Sequence, residues 1–420
     1  MRPNTSQPPR NMSLAIFALL LTCASYVWAG SYQVLHNFND SDGGGYAPEA
    51  PLLFDRNGNL YGTTVAGGSG CGYPGCGTVF TLVHNPDGSW TYRVLHSFNG
   101  SDGGFSYAGL VFDGRGNLYG TTKGYNGDNG NVFELTPGSG GVWTESVLHA
   151  FTGGWDGGQP LTGLTLDRTG NVYGTTSSGG ARGSGVVFAL GQVTVLNWHE
   201  LVLHAFAGGN DGSAPNGPLI FDARGNLYGT TFGDTNHAGT VFKLTPNQHS
   251  FGWTETVLYV FQGTPYGSGP DGANPAAGVI FDGAGNLYGT TQFGGAAAGG
   301  TVFKLTPNSD GSWTESVLHD FQGGNDGNNP AGGLTFDQAG NLYGTTVFGG
   351  PNHSGTVFKL MPSGGGQWTE TVLYGFSGRL DGGWPGAGVI LDSAGNLYGT
   401  AVLGGTGGGE HGGVVFEVTP

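Results

Sequence analysis

Two neighbouring residues near the C-terminus, Glu410 and His411, carry side chains that could exchange protons with a bound substrate. Arg379 and Trp384 precede them in the same part of the chain. A tryptophan ring can stack on a sugar or hold an apolar peptide side chain, and a guanidinium beside it can donate hydrogen bonds. These four residues therefore suggest either ligand binding or acid–base chemistry.

Three more aromatic residues, Tyr73, Trp155 and Tyr266, lie in other glycine-rich stretches and could extend a binding surface. Tyr73 stands between Cys71 and Cys76, which we expect to form a small disulfide loop in an oxidising compartment. A zinc site would need more ligands than this one cysteine pair supplies. Because the sequence also contains no nucleophile-elbow, metal-binding helix or phosphate-loop motif, we expect no metal and no cofactor.

These residues stand out against a repeat that runs along the chain. The run from Gly116 to Thr122, Gly-Asn-Leu-Tyr-Gly-Thr-Thr, returns at intervals of 54 to 60 residues with almost no change. Its other copies begin at Gly58, Gly170, Gly225, Gly285, Gly340 and Gly395. Seven copies at one spacing indicate a repeat architecture in a single domain.

One unit is enough to predict the local structure. The run from Gly278 to Asp282 is rich in β-forming residues, and a tight polar turn leads from it into Leu287 to Thr291. Two further strands, Thr301 to Leu305 and Trp313 to Phe321, complete a simple four-stranded meander. Since no stretch shows a sustained helical period, essentially no helix is expected.

The two ends of the chain decide how the units are arranged. Tyr32 to Phe38 matches a fourth strand, whereas Gly413 to Val418 matches a third. An N-terminal strand that completes the last unit would close a ring, so we predict an all-β, seven-bladed β-propeller of four-stranded blades over residues 30–420. The glycine of each Leu-Tyr-Gly-Thr strand would leave room for an aromatic ring of the next blade. Third-strand lysines such as Lys243 would lie across from fourth-strand glutamates such as Glu255.

Residues 1–29 are typical of a secretory signal peptide, with Arg2 and Arg10 before an apolar run and Ala29 at the expected cleavage site. We expect a secreted, periplasmic or extracellular protein without stable membrane insertion after cleavage. Of the 13 basic residues, cleavage removes two, which leaves 11 against 29 acidic residues and a net charge of −18. Such a chain repels nucleic acid. We expect a monomer whose ligand is a carbohydrate or a protein.

Acidic residues and histidines also recur with the repeat. An aspartate before a glycine lies in the loop that leads into each blade, where it could join a ring that binds cations or sugars, or could cap its own turn. Its presence in every blade favours capping. Histidine alternates with tyrosine at one fourth-strand position, as His319 does with Tyr259, and this favours packing over metal binding. The aspartates are Asp42, Asp102, Asp156, Asp211, Asp271, Asp326 and Asp381.

Departures from the repeat gather on one face. The loop between the second and third strands has 13 residues in the first blade (65–77) and 12 in the last (402–413), against 8 or 9 elsewhere. Because ring closure makes these two blades neighbours, it would bring Tyr73 toward Trp384 and Glu410. We interpret this group as a candidate ligand site, and the alternative is that longer loops merely cover the closure seam.

Three motifs carry a family resemblance: Gly-Asn-Leu-Tyr-Gly-Thr-Thr, Gly-Thr-Val-Phe-Lys-Leu and Trp-Thr-Glu-x-Val-Leu-His-x-Phe. Over residues 31–420 the chain resembles the GloVer tandem-repeat family of exported bacterial proteins, and its hairpins are more weakly similar to NHL-type propeller repeats. The resemblance implies an extracytoplasmic location and no assigned activity. We therefore expect a non-enzymatic binding or interaction module that uses its loop face. The alternatives are a polysaccharide-active hydrolase or lyase and a purely structural cell-surface or matrix component.

Overall fold

Seven four-stranded antiparallel sheets follow one another around a ring, which confirms the predicted seven-bladed β-propeller. The computed structural model describes residues 30–39, 43–194, 197–247, 252–264, 266–267, 269–406 and 412–420. The predicted signal peptide lies outside these ranges. Helical structure in the described residues is confined to three short 3₁₀ turns, Ser139–Gly141, Gly209–Asp211 and Gly324–Asp326.

Each blade is a meander of strands A to D, counted from the central channel outward. Blades 1 and 2 consist of Leu53–Phe54, Leu60–Thr64, Thr78–His84 and Trp90–Ser97, then Val111–Phe112, Leu118–Thr122, Asn131–Pro137 and Trp143–Ala150. Blades 3 and 4 consist of Thr165–Leu166, Val172–Thr176, Val186–Thr194 and Asn197–Ala205, then Ile220–Phe221, Leu227–Thr231, Thr240–Pro246 and Trp253–Val260. Blades 5 and 6 consist of Ile280–Phe281, Leu287–Thr291, Thr301–Pro307 and Trp313–Asp320, then Thr335–Phe336, Leu342–Thr346, Thr356–Gly364 and Gln367–Gly375. Blade 7 takes strands A to C from Ile390–Leu391, Leu397–Ala401 and Val414–Thr419 and strand D from Ser31–Asn37. A separate two-stranded pair, Gly269–Ala273 with Phe293–Gly295, lies in the loops of blade 5.

The recurring aspartate before each A–B turn is structural. In blade 5, the Asp282 carboxylate accepts hydrogen bonds from the backbone N–H groups of Ala284 and Asn286, both at 2.9 Å. It also accepts from the Asn286 side-chain amide at 2.6 Å and from the Tyr288 hydroxyl at 3.1 Å. One side chain therefore satisfies the donors of the whole turn and ties it to strand B, which is why the Asp-x-x-Gly-Asn-Leu-Tyr pattern recurs.

The N-terminal strand closes the ring as predicted. Ser31–Asn37 pairs antiparallel with Val414–Thr419, with Tyr32 opposite Val418 and Val34 opposite Phe416. The Tyr32 ring stacks on Tyr374 of blade 6, with centroids 3.9 Å apart. The strand therefore completes blade 7 and also packs against its neighbour.

The glycine of strand B makes room for a ring, although the ring comes from the same blade and not from the next. Gly289 pairs with Phe303 of strand C in blade 5. A Cβ at Gly289 would lie 2.6 Å from the Phe303 ring, and Phe303 is fully buried. Because paired strands of one twisted sheet lie closer than neighbouring blades do, the ring of strand C folds over the glycine beside it.

Substitution of this glycine is expected to destabilise the protein. Gly289→Ala would press a methyl group into the Phe303 ring, and overpacking of this kind costs roughly 1–3 kcal/mol. Gly283→Ala is the matched control, because a Cβ there would meet nothing within 4 Å. Urea denaturation of both variants measures the difference, and equal losses of unfolding free energy would contradict this account of the strand.

Candidate functional site

Seven equivalent residues form a ring on the loop face, and we call them the bridge residues. Each lies in the loop from strand D of one blade to strand A of the next (the D–A loop). Its N–H donates to a carbonyl in the B–C loop, between strands B and C, of the preceding blade, and its carbonyl accepts from the B–C loop of its own blade. The bridge residues are Ala47, Phe105, Gln159, Ala214, Asn274, Asn329 and Trp384.

The backbone of all seven bridge residues is left-handed, with φ between 51° and 62°. Glycine adopts this conformation without steric cost, and bulky residues rarely do. Yet none of the 88 glycines of the chain stands at a bridge position. Strained non-glycine residues concentrate at sites where ligands bind. The ring therefore carries side chains of five different types, Ala, Phe, Gln, Asn and Trp, at a backbone cost that the scaffold absorbs.

The loop face carries a cavity of about 520 Å³ over blades 1 and 2. Four aromatic rings line it together with a lysine, an aspartate, an asparagine and a glutamine. Such a mixture of flat apolar rings and hydrogen-bonding groups is typical of sites for small polar ligands. The side chains are Tyr46, Tyr73, Phe105, Tyr107, Lys123, Asn126, Asp128 and Gln159.

The disulfide loop of blade 1 builds one wall of this cavity. Cys71 and Cys76 are bonded, with their Cα atoms 5.6 Å apart, as the sequence predicted. The Cys76 carbonyl accepts the N–H of bridge residue Phe105 at 2.9 Å. The Tyr46 hydroxyl donates to the Pro74 carbonyl at 3.2 Å. These bonds hold the loop, and Tyr73 at its tip, against blade 2.

A charged group lies at the opposite wall. The Lys123 N–H donates to the Phe105 carbonyl at 3.0 Å, and the Lys123 ammonium lies over the Tyr107 ring at 5.5 Å. Burial raises the pKa of Glu49, and the positive charge of Lys123 opposes that rise. Burial, followed by the charge of Glu49, also raises the pKa of Tyr107. Lys123, Tyr107 and Glu49 are thus electrostatically linked at one point of the loop face.

Tyr107 separates the cavity from the mouth of the central channel and lines both. The channel mouth encloses about 400 Å³ and is walled mainly by glycine, alanine and aliphatic residues at the start of each strand A. Glu49 is the carboxylate that lines it among the described residues. The one carboxylate that lines the described channel mouth therefore lies next to the cavity over blades 1 and 2.

The structure divides the residues that the sequence grouped into one site. Tyr73 lines the cavity, whereas Trp384 packs edge-to-face on Phe348 of blade 6 at 5.6 Å. Arg379 is exposed, and its carbonyl anchors the N–H of Gly405 at 2.7 Å. Glu410 and His411 lie outside the described residues.

The remaining aromatic candidates are exposed on the same face. Trp155 has 78% of its surface accessible, Tyr73 77%, Tyr266 63% and Trp384 41%. Tyr266 contacts the rings of Phe232 at 5.9 Å and Phe293 at 5.6 Å. Tyr73 is therefore the one of these four that the structure assigns to the cavity.

The aspartates of the D–A loops cap their own turns, as the sequence favoured, and also contact strand D of the blade that precedes the loop. The Asp102 carboxylate accepts the Asn99 N–H at 2.8 Å and contacts the His96 Nε2 at 3.1 Å. Where tyrosine replaces histidine, the contact persists, because the Tyr259 hydroxyl donates to Asp271 at 2.7 Å. Tyrosine at this position thus keeps a contact with the aspartate. Asp42 lies outside the described residues.

A glutamate from strand D of the following blade approaches each of five such pairs. One carboxylate oxygen of each glutamate is buried without a hydrogen-bond partner. Burial, followed by the charge of the nearby aspartate, raises the pKa of each to about 7. The expected lysine partners do not reach them, since Lys243 pairs with Thr256 and lies over the Tyr228 ring, on the face opposite Glu255. The five are Glu145, Glu200, Glu255, Glu315 and Glu370.

One junction brings its donors especially close. His204, Asp211 and Glu255 are the one group of three potential metal ligands in the described chain whose donor atoms all lie within 4.8 Å of one another. His204 belongs to blade 3 and Glu255 to blade 4, and Asp211 lies in the loop between them.

The sequence model of the Gloeobacter/Verrucomicrobia repeat matches residues 24–188, 72–270 and 265–420. The chain belongs to this repeat family. A search of curated proteins finds no match to it. Across the described ranges, no helix has the length and apolar character needed to cross a membrane.

Comparison of the Gloeobacter/Verrucomicrobia repeats with one another could have found the cavity residues that sequence reasoning missed. Lys123 directly follows a Gly-Thr-Thr strand, where the other six copies have an uncharged residue. Glu49 and Tyr107 stand where later repeats have small or neutral residues such as Ala276 and Gly386. These three residues differ from their equivalents in side chain while the loop length stays constant. Loop length by itself distinguishes the loops of blades 1 and 7 and does not reveal such differences.

Proposed function

We propose that the protein is an exported, non-enzymatic binding module that holds a carbohydrate in the loop-face cavity over blades 1 and 2. The observation that carries the proposal is the composition of that cavity. Aromatic faces stack on the apolar faces of sugar rings, and Lys123, Asn126, Asp128 and Gln159 offer hydrogen bonds to hydroxyl groups. The disulfide and the bridge hydrogen bonds preorganise its walls, which lowers the entropic cost of binding.

The arrangement favours binding over glycoside hydrolysis. Hydrolysis of a glycosidic bond usually requires two carboxyl groups about 5–10 Å apart. Among the described lining residues, Asp128 is the one carboxylate of the cavity and Glu49 the one carboxylate of the channel mouth, so neither space holds a pair, and the charge of Glu49 is offset by Lys123. A binding role uses the same aromatic and polar groups without that requirement.

Two observations support export. Residues 1–29 have the pattern of a secretory signal. The disulfide between Cys71 and Cys76 is of a kind that persists in oxidising compartments. The strongly negative net charge argues against a nucleic-acid ligand.

The expected result of cavity substitutions is a loss of carbohydrate binding. A glycan array identifies the best oligosaccharide, and titration calorimetry then compares the variants with it. Tyr107→Ala removes the ring between cavity and channel, and Lys123→Ala removes the ammonium over it. Each is expected to weaken binding about tenfold or more, equivalent to about 1.4 kcal/mol.

Trp155→Ala is the matched control, because Trp155 is an exposed aromatic residue of the same face outside the cavity. Its affinity should stay within about twofold of the wild type, a change of only ~0.4 kcal/mol. An equal effect of Trp155→Ala and Tyr107→Ala would refute the assignment to this cavity. If the wild-type protein binds peptides on a parallel array and binds no glycan, the ligand is a protein and the proposal of a carbohydrate ligand is wrong.

A further inference from the structure

We infer that His204, Asp211 and Glu255 bind a divalent first-row transition-metal ion of the Zn²⁺ type at the junction of blades 3 and 4. The site lies at a blade junction and is distinct from the loop-face cavity, so it goes beyond the proposed carbohydrate binding. No metal was expected from the sequence, in which tyrosine replaces histidine at two equivalent positions.

The donor atoms converge without satisfying one another. The His204 Nε2 lies 3.4 Å from the Asp211 Oδ1, which is an ion-pair distance but does not meet the geometry of a hydrogen bond. The Glu255 Oε1 is also buried without a partner. Buried polar atoms normally find partners, so two orphaned donor atoms in one cluster need an explanation. A cation bound by all three residues provides one.

The spacing suits a small cation. Ligands bound at 2.0–2.1 Å to tetrahedral zinc lie about 3.3 Å apart. The His204–Asp211 pair is close to this at 3.4 Å, and all three donor atoms lie within 4.8 Å of one another, so a small closure of the group would complete the site. The second oxygen of Asp211 accepts the Ala207 N–H at 2.5 Å, which orients the carboxylate and leaves Oδ1 for the ion. All three residues are half-buried, and three protein ligands leave the fourth position of a tetrahedral ion for water.

The ligand types select the class of metal. An imidazole and two carboxylates suit Zn²⁺ and its first-row neighbours. Calcium requires six to eight oxygen ligands, and magnesium keeps most of its water, so neither is matched by a site with one nitrogen and two carboxylates. A dication also neutralises the two negative charges that the fold places together there.

The other junctions show what distinguishes this one. His96 and His319 lie closer to their aspartates, at 3.1 and 3.0 Å, within hydrogen-bond distance. At the junction of blades 2 and 3, His149 stands 3.4 Å from Asp156. That histidine and Glu200, the glutamate near Asp156, also have unpartnered atoms. Only the convergence of all three donors distinguishes the His204 group among the described residues. His149 therefore provides a matched control within the same chain.

Zinc titration of the metal-free protein tests the inference. After removal of metals with a chelator, calorimetry with ZnCl₂ should show a site that His204→Tyr weakens by about 100-fold. This change reproduces the tyrosine that the fold already accepts at Tyr259, so the variant should fold. His149→Tyr should leave the same site unchanged. Bound Co²⁺ should give visible absorption bands that His204→Tyr abolishes.

The outcomes are decisive in both directions. Glu255→Gln, which keeps the shape of the side chain, should also weaken zinc binding, and thermal melting of each variant checks its folding. Absence of zinc binding at micromolar concentrations in the wild type would overturn the inference. So would equal losses in the His204→Tyr and His149→Tyr proteins, because binding would then not depend on the converging donors.

Discussion

Deletion of residues 30–38 is expected to abolish cooperative folding of the entire ring. The segment supplies strand D of blade 7, and its Tyr32 stacks on Tyr374 of blade 6. Phe38 is fully buried and packs on Phe80 of blade 1 with centroids 5.2 Å apart. Loss of two such aromatic side chains costs about 3–5 kcal/mol each. That sum approaches the whole net stability of a typical domain, roughly 5–15 kcal/mol.

The closure can be tested by complementation. Urea denaturation of the deleted protein should show no sharp transition, and addition of a synthetic peptide of residues 30–38 should restore one. A peptide with Tyr32→Ala and Phe38→Ala is the control and should fail. If the deleted protein unfolds with the wild-type midpoint and slope, the N-terminal strand does not close the ring.

The fold could be predicted from the sequence because each repeat contains the residue patterns of its own turns and strands. The Asp282 to Tyr288 pattern specifies a hairpin through the hydrogen bonds of a single aspartate. Seven such units, with a spare strand at the N-terminus, leave a closed ring as the simplest arrangement. The prediction that a ring of the next blade covers Gly289 was wrong. The spacing of residues along the chain does not determine whether the space beside a glycine is filled by the same blade or by its neighbour.

The candidate site was less accessible to sequence reasoning for a related reason. Loop length identified blades 1 and 7 as unusual, but it does not give the direction in which a loop leans. The Cys76 carbonyl bonds to Phe105, so the disulfide loop turns toward blade 2 and places Tyr73 beside Lys123. The hydrogen bond of the bridge residue Phe105 helps to set that direction, and it involves backbone atoms that any sequence can supply.

The wild-type protein is expected to lose stability as the pH rises from about 4.5 to about 7, through the glutamates of strand D. Burial and the nearby aspartates raise the pKa of four of them, Glu145, Glu200, Glu315 and Glu370, to about 7. A carboxyl group whose pKa is raised on folding stabilises the fold when it is protonated. Its contribution is complete below the unfolded value and disappears as the pH passes the folded value.

The effect per glutamate follows from the shift. A rise from 4.5 to about 7 corresponds to ~3.4 kcal/mol at full weight. Because these side chains are only half-buried, solvent screening reduces this to about 1 kcal/mol each, or about 4 kcal/mol for the four together.

Other groups titrate nearby with different signs. Burial lowers the pKa of His96 and His149, so these residues cost stability as the pH falls below about 6.5. Their contribution opposes that of the glutamates in the acidic range. Hydrogen bonds and neighbouring charges outweigh burial and lower the pKa of Asp156 and Asp326, whose contribution is lost only below about pH 4.

A quadruple Glu→Gln variant at positions 145, 200, 315 and 370 isolates the glutamates from these opposing groups. Glutamine mimics the protonated side chain at every pH, so the variant should match the wild type near pH 4.5 and exceed its unfolding free energy above pH 7. Urea denaturation at both pH values measures this difference, in which the histidine contribution cancels. If the fold instead stabilised the charged carboxylates, glutamine would lower the unfolding free energy at high pH. A variant that is less stable than the wild type at pH 8 would therefore contradict the prediction.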